Sequence, residues 1–205
     1  MIAPILYLAS ASPRRRELLA QIGVTCRVVP VDLDESPDPG ETPEHYVQRL
    51  ALDKARAAHT LVGKTADVLI LAADTAVVVD ADILGKPRSA ADAASMLRRL
   101  SGREHRVLSG VALIGADGVD ASAVSESRVR MRTILETEMA AYWATGEPAD
   151  KAGGYAIQGR AAVFVEALSG SYSGVMGLPL FETAGLLSAA GVPCLHSKKM
   201  KEATE

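Results

Sequence analysis

The sequence predicts an α/β domain, and three observations carry that prediction. Val68-Leu69-Ile70-Leu71-Ala72-Ala73 is an unbroken apolar run, the pattern of a strand buried on both faces. Ser12-Pro13 and Thr42-Pro43 are capping pairs, each an N-cap hydroxyl followed by proline at the first helical position, where a missing N–H costs nothing. Arg106 to Ile114 and Val119 to Met131 read as two long strands joined at the turn-forming Ala116-Asp117-Gly118. A chain of 205 residues without repeats or low-complexity linkers is expected to form one domain over 1–205, or two closely fused lobes.

The elements follow in order. Ile5-Leu6-Tyr7-Leu8 reads as a short buried strand, and the helix opened by Ser12-Pro13 ends near Gly23. Cys26 to Val31 is expected to form a second strand, running into an acidic turn from Asp32 to Asp38 that its prolines keep irregular. The helix after Thr42-Pro43-Glu44 runs to about His59, with Tyr46, Val47, Leu50 and Ala51 on its core face and Lys54 near the edge of that face. The run Val68 to Ala73 is expected to end at Asp74-Thr75, and a second run, Ala76 to Val79, turns at Asp80-Ala81-Asp82. Lys86-Pro87-Arg88 is a rigid cationic turn before a helix from Ala90 to Leu100, closed by Gly102. Alternation from Val124 to Arg130 marks a half-solvated strand, and Thr133 to Glu136 reads as a capping box for a helix through Tyr142 and Trp143. Ala162 to Glu166 is expected to be a strand, Gly170-Ser171-Tyr172 a turn, and the passage Gly174 to Pro179 feeds a last helix through Leu187. From about 193 to 205 the polar, lysine-rich end is expected to fray.

Bulk properties exclude several classes. A formal net charge of -3 argues against a general nucleic-acid binder, so basic residues matter only where they are concentrated. Cys26 and Cys194 have no metal-ligand spacing and are too few for a disulfide framework, which favours a reducing compartment. No apolar stretch is long enough to span a bilayer, and no secretory signal pattern opens the chain. A cytoplasmic protein without membrane association is the expectation. No P-loop or dinucleotide fingerprint is present, and His45, His59, His105 and His196 read as helix-surface, strand-edge or tail residues, leaving no Ser-His-Asp arrangement.

What remains points to phosphate. Arg14, Arg15 and Arg16 fall in the first turn of a helix, where the macrodipole disfavours cations unless an anion binds there. The competing reading is a solvated helix face. Asp74 lies between two apolar runs, an expensive place for a carboxylate without a partner or a metal, although a structural ion pair would also satisfy it. Glu35 is either a solvated loop acid or a functional one, and Lys54 either snorkels to water or joins a site. Cations Arg14, Arg15, Lys54 and Lys86 opposite Asp74 and Glu35 suit a polyphosphate held partly through a divalent cation, Mg²⁺ or Mn²⁺.

At this point the chain resembles the Maf (septum formation) family. The resemblance rests on Ser10-Ala11-Ser12-Pro13-Arg14-Arg15, the Glu41 to Lys54 helix, Ala73-Asp74-Thr75, Gly85-Lys86-Pro87, Leu100-Ser101-Gly102 and Asp150-Lys151-Ala152-Gly153, in order over roughly Leu6 to Leu187. It implies a long, twisted mixed sheet flanked by helices, with two lobes and a central cleft, similar to inosine triphosphate pyrophosphatases. The implied activity is cleavage of a nucleoside triphosphate between the α and β phosphates, giving the monophosphate and pyrophosphate. By that match Asp74 accepts the proton of the attacking water. Arg14, Arg15, Lys54 and Lys86 hold the triphosphate with Ser12, and Glu35 helps Asp74 bind the metal or water. Ile157-Gln158-Gly159 matches the subgroup acting on dTTP and UTP, with Arg14, Thr75 and Gln158 at the specificity positions, and Gln158 offers both a donor and an acceptor to a pyrimidine edge. Ala156 stands where that subgroup often has glycine, and Arg160 is a bulky neighbour of the segment. A homodimer is implied as well. The alternatives are a house-cleaning pyrophosphatase for modified pyrimidine nucleotides (5-methyl-UTP, 5-methyl-CTP, pseudo-UTP) and a non-catalytic nucleotide-binding regulator of cell division.

Overall fold

Period-two alternation along one central strand explains most of the architecture. The computed structural model describes residues 4–63, 68–115 and 120–195. Strand β1 (Ile5–Leu8) leads into α1 (Pro13–Gln21), and β2 (Arg27–Val28) pairs parallel with β1. Helix α2 (Pro43–Val62) precedes the central strand β3 (Val68–Val79), which turns back as β4 (Asp82–Leu84). Helix α3 (Ala90–Leu100) is followed by β5 (Glu104–Ile114) and β6 (Asp120–Met131), then α4 (Glu136–Ala144), β7 (Val165–Ser169), the single-turn α5 (Tyr172–Val175) and α6 (Leu180–Ala189). The strands form one mixed sheet of order β2-β1-β3-β5-β6-β7, parallel at the β2-β1-β3 end and antiparallel elsewhere, with β4 on β3.

Successive residues of a strand face opposite sides of the sheet. In β3, Ile70 and Ala72 pack under α2 with Ala51, Ala55 and Ala58, and Ala76 and Val78 continue that face against Val47 and Leu50. Leu69, Leu71 and Ala73 face the other way, onto Leu18 and Leu19 of α1 and Leu187 of α6. Asp74 therefore points toward α2, and Thr75 toward α1. Along one edge β3 is paired to β5 from Ile70 through Val78. Along the other, β1 covers Val68 to Leu71 and β4 covers Val77 to Val79, so residues 72–76 lie where the edge partner changes. A cleft opens at that point, and residues of both faces reach it.

The structure departs from the sequence reading at several places. β3 does not end at Asp74, because Asp74 is paired in register with Gly110 and its carboxylate has a partner, so nothing forces the chain out of the sheet. β2 stops at Val28: Val29 N–H still donates to Leu8, but Pro30 has no donor to continue the ladder. The cap of α4 is Leu135, whose N–H donates to Glu138 at 2.9 Å, not the expected Thr133–Glu136 pair. Residues Arg160–Phe164 form a 3-10 turn rather than a strand, tied down by Arg132 donating to the Val163 carbonyl, and pairing with β6 begins only at Val165. His59 and His105 are buried, not helix-surface or strand-edge residues. Val192 to Leu195 still dock, with Leu195 N–H donating to Ile22 at 2.7 Å and Cys194 packed on the α1 core. Residues 196–205, with His196, and the expected turn at Ala116-Asp117-Gly118 lie outside the described residues. No helix among the described residues is long and apolar enough to cross a membrane.

Candidate active site

The cleft at the change of edge partner encloses about 600 Å³, within the range of small-molecule sites. Ser12, Arg14, Arg15, Glu35, Lys54, Asp74, Thr75, Lys86 and Gln158 all line it. Residues spread over most of the chain thus meet in one place. Arg16, the third arginine of the run, is exposed and does not line the cleft, so the helix start contributes two cations rather than three.

Lys54 is the centre of one wall. It is 8% exposed and does not snorkel: its ammonium donates to Asp74 at 2.7 Å and lies 2.5 Å from Glu35 Oε1. Asp74 is 6% exposed, so the charge that the apolar run could not host alone is matched within the protein. Burial pushes the Glu35 carboxyl up, but the hydrogen bond and charge of Lys54, with Lys86 and Arg15 behind them, outweigh it and hold it below the ordinary carboxylate range. The acidic loop that carries Glu35 is fastened from α2. Tyr46 donates to the Glu35 carbonyl at 2.9 Å, and Arg49 bridges the Glu41 carboxylate and the Ser36 carbonyl. Burial, with Asp74 and Glu35 nearby, pushes the Tyr46 phenol up to about 12, which keeps it a donor.

Further cations line the cleft. Ser12 occupies the N-cap position of α1, but its side chain makes no capping bond; its N–H donates to Ser10 Oγ instead. Arg15 is held by Nε donating to the Gly177 carbonyl at 2.7 Å and by Nη1 donating to Ser10 Oγ at 3.2 Å. A guanidinium has five N–H groups, so several remain for an anion. Burial pulls Arg15 below its ordinary value while Asp74 pulls back, and a group that titrates so high stays charged. Gly177, at φ +116, turns its carbonyl toward Arg15 in a conformation that side chains resist. Lys86 follows β4 on a turn joined to the Asp150-Lys151-Ala152-Gly153 loop by Gly153 N–H donating to the Gly85 carbonyl. Lys151, paired with Asp150, adds another cation to the cleft.

Several residues that line or support the cleft were not singled out from the sequence as site residues. Tyr46 fits the core periodicity, and only its hydroxyl betrays the role. Lys151 and Ser10 lie inside motifs but carry no local signal of their own. Ser109 and Gly177 have none: Ser109 lies opposite Thr75 on β5, and Gly177 lies 162 residues from the arginine that it holds.

Among the described residues no group of three or more His, Cys, Asp or Glu converges as a metal cage. Glu35 and Asp74 nevertheless come together in the cleft, where Lys54 pairs with Oε1 of the one and Oδ1 of the other, leaving the second oxygen of each carboxylate. Two carboxylates plus phosphate oxygens are the donor set with which Mg²⁺ is commonly bound, so these residues fit such an ion.

Comparison with known proteins adds to this geometry. The family described as Maf-like protein matches residues 5–190. The dTTP/UTP pyrophosphatase of Alkalilimnicola ehrlichii is 54% identical over 187 residues, covering 90% of this chain and 92% of that protein. The dTTP/UTP pyrophosphatase of Ralstonia nicotianae is 52% identical over 201 residues, covering 92% and 95%. Among solved structures, a dITP/XTP pyrophosphatase from Mycobacterium abscessus overlaps 63% of this chain and 75% of its own, at a TM-score of 0.42 and 20% identity. That overlap is partial, and the mixed α/β architecture stands on the sheet order itself.

Proposed function

The chain belongs to the Maf-like protein family, and on that premise we propose that it is a nucleoside triphosphate pyrophosphatase acting on dTTP and UTP. The observation that carries this reading is the Lys54 ammonium between Asp74 and Glu35, in one cleft with Arg14, Arg15 and Lys86.

The chemistry follows from those positions. Water attacks the α phosphorus, the bond from that phosphorus to the bridging oxygen breaks, and the oxygen leaves with pyrophosphate. Asp74 takes the water's proton, oriented by its hydrogen bond to Lys54. Arg15, anchored at Gly177 and Ser10, presents its remaining N–H groups to the phosphates, with Arg14, Lys86 and Ser12 beside it. Such pre-oriented charge is usually the largest catalytic contribution, one lost donor costing roughly 2.7–4 kcal/mol. A divalent ion held by Glu35 and Asp74 would supply neutralisation of phosphate charge and polarisation of the attacked centre. Gln158 faces the base, where its amide serves the O4 and N3–H edge of thymine or uracil. A homodimer and a cytoplasmic location belong to the same reading, and sedimentation equilibrium is the direct measurement of the first.

The test is pyrophosphate release from dTTP, UTP, CTP, GTP and 7-methyl-GTP, with Mg²⁺ or Mn²⁺. Selective turnover of dTTP and UTP is expected. Turnover of another base would retain the catalytic wall and discard the base assignment, and no turnover of any nucleotide would favour a binding protein.

A further inference from the structure

Gln158 sits on a tight turn, and that turn is built around a carboxylate that lies outside the catalytic wall. Gly159 N–H donates to the Ala156 carbonyl at 3.0 Å, closing the turn with Ile157 and Gln158 at its centre. At its entry, Ala156 N–H donates to the Tyr142 hydroxyl at 3.1 Å. At its exit, Arg160 N–H donates to both Glu147 oxygens, at 3.0 and 3.1 Å. Tyr142 in turn donates to Glu147 Oε1 at 2.7 Å, so one hydroxyl and one carboxylate bracket both ends. The fit is close enough that a Cβ on Gly159 would overlap the Glu147 carboxylate. Gln158 itself is exposed at the apex, and among the described residues no hydrogen bond holds its amide.

A glutamine amide carries a donor and an acceptor, and by turning over it can serve either pyrimidine edge. That turning over is a rotation within the side chain; what a fixed backbone sets is the distance and direction from which the amide reaches the base, and hence how well either pairing can form. We propose that Glu147, acting with Tyr142, is a positioning residue for base selectivity: it fixes the Ala156–Arg160 turn so that Gln158 approaches the base from one place, at the distance its pairing requires. This rests on the reading of Gln158 as the base-facing residue. Glu147 is not expected to touch the phosphates, so its loss should act on selectivity and KM more than on kcat.

The experiment compares the ratio of kcat/KM for dTTP to that for CTP in the wild type, Glu147→Gln, Tyr142→Phe and Gln158→Ala, and in the double variants with Gln158→Ala. Glu147→Gln and Tyr142→Phe are each expected to lower the ratio about tenfold, chiefly through KM for dTTP, with kcat changed by no more than about threefold. In the Gln158→Ala background neither should lower it further, a non-additivity that general loosening of the fold would not produce. If Gln158→Ala moves the ratio and the two bracket variants do not, or if their effects add to it, the positioning role is wrong and the base reading stands. If Gln158→Ala leaves the ratio unchanged, the base reading fails and the inference falls with it. Tyr142→Phe keeps the ring packed edge-on against Phe164, so the test survives a poorly folding Glu147 variant.

Discussion

Thr75 donates its hydroxyl hydrogen to Ser109 Oγ at 2.9 Å, because Ser109 commits its own single hydrogen to the Gly174 carbonyl at 2.7 Å. A carbonyl only accepts, so the direction of both bonds is fixed. Thr75 therefore shows the cleft lone pairs alone, the complement of a donor such as N3–H of thymine or uracil. Ser109→Ala frees that hydroxyl to rotate and donate, which suits the N3 acceptor of cytosine. If Thr75 faces the base, the dTTP to CTP ratio is expected to fall about threefold to tenfold. The Gly174 carbonyl loses this bond in the same variant but keeps Gly177 N–H at 2.8 Å, so the cost in denaturant unfolding is roughly 0.5–1.5 kcal/mol. A loss of stability with an unchanged ratio would remove Thr75 from base reading.

Asp74 gives the sharpest test of the chemistry. Asp74→Asn keeps the shape of the side chain and a carbonyl oxygen toward Lys54, but cannot take a proton. The rate of pyrophosphate release from dTTP is expected to drop on the order of 10²–10⁴-fold, with the far-UV spectrum unchanged. A variant that turns over at the wild-type rate would assign the base elsewhere.

The sequence made Asp74 legible, because a carboxylate inside an apolar run needs a partner wherever the chain folds. Arg14 and Arg15 were legible for a similar reason, being cations at the wrong end of a helix dipole. Lys54 was legible as a candidate cation, but its pairing was not: its partners Asp74 and Glu35 come from other elements, and its own helix offers an equally good route to water. The continuity of β3 through Asp74 was hidden for the same reason, since only that ion pair keeps the carboxylate inside the sheet. The 3-10 turn at Arg160–Phe164 was hidden because Arg132 and Glu147, which hold it, lie far along the chain.

Gly110 lies opposite Asp74 in the β3–β5 register, directly beneath α2. A Cβ there would overlap the Val47 carbonyl, so the missing side chain is what lets the helix settle onto the sheet. Lys54 lies two turns beyond Val47 on the same face, and its reach to Asp74 depends on that approach. Gly110→Ala is expected to cost about 1–3 kcal/mol or more and to lower dTTP turnover with it. Gly185→Ala in α6, where a Cβ meets open space, is the control and should match or slightly exceed wild-type stability. Equal melting temperatures for Gly110→Ala and the wild type would refute the close-packing argument.

His105 sets a pH dependence of stability away from the catalytic wall. It lies on β5, 3% exposed, with Nε2 2.7 Å from the Tyr155 hydroxyl. Burial, aided by the Arg103 charge, lowers its pKa from 6.5 to about 4. The folded protein thus keeps this imidazole neutral while the unfolded chain takes up a proton below its ordinary pKa. Between those two values the unfolded state binds more protons, so stability is full above the unfolded pKa and falls as pH drops toward 4. The contribution at stake is about 3 kcal/mol across that window. His105→Gln retains a polar group toward Tyr155 without a titrating ring. Urea unfolding at about pH 7 and about pH 4.5 should show a smaller loss on acidification in this variant than in the wild type. Parallel losses in the two proteins would mean that His105 is protonated in the folded state, and that its burial is not as unyielding as its packing against Tyr155 indicates.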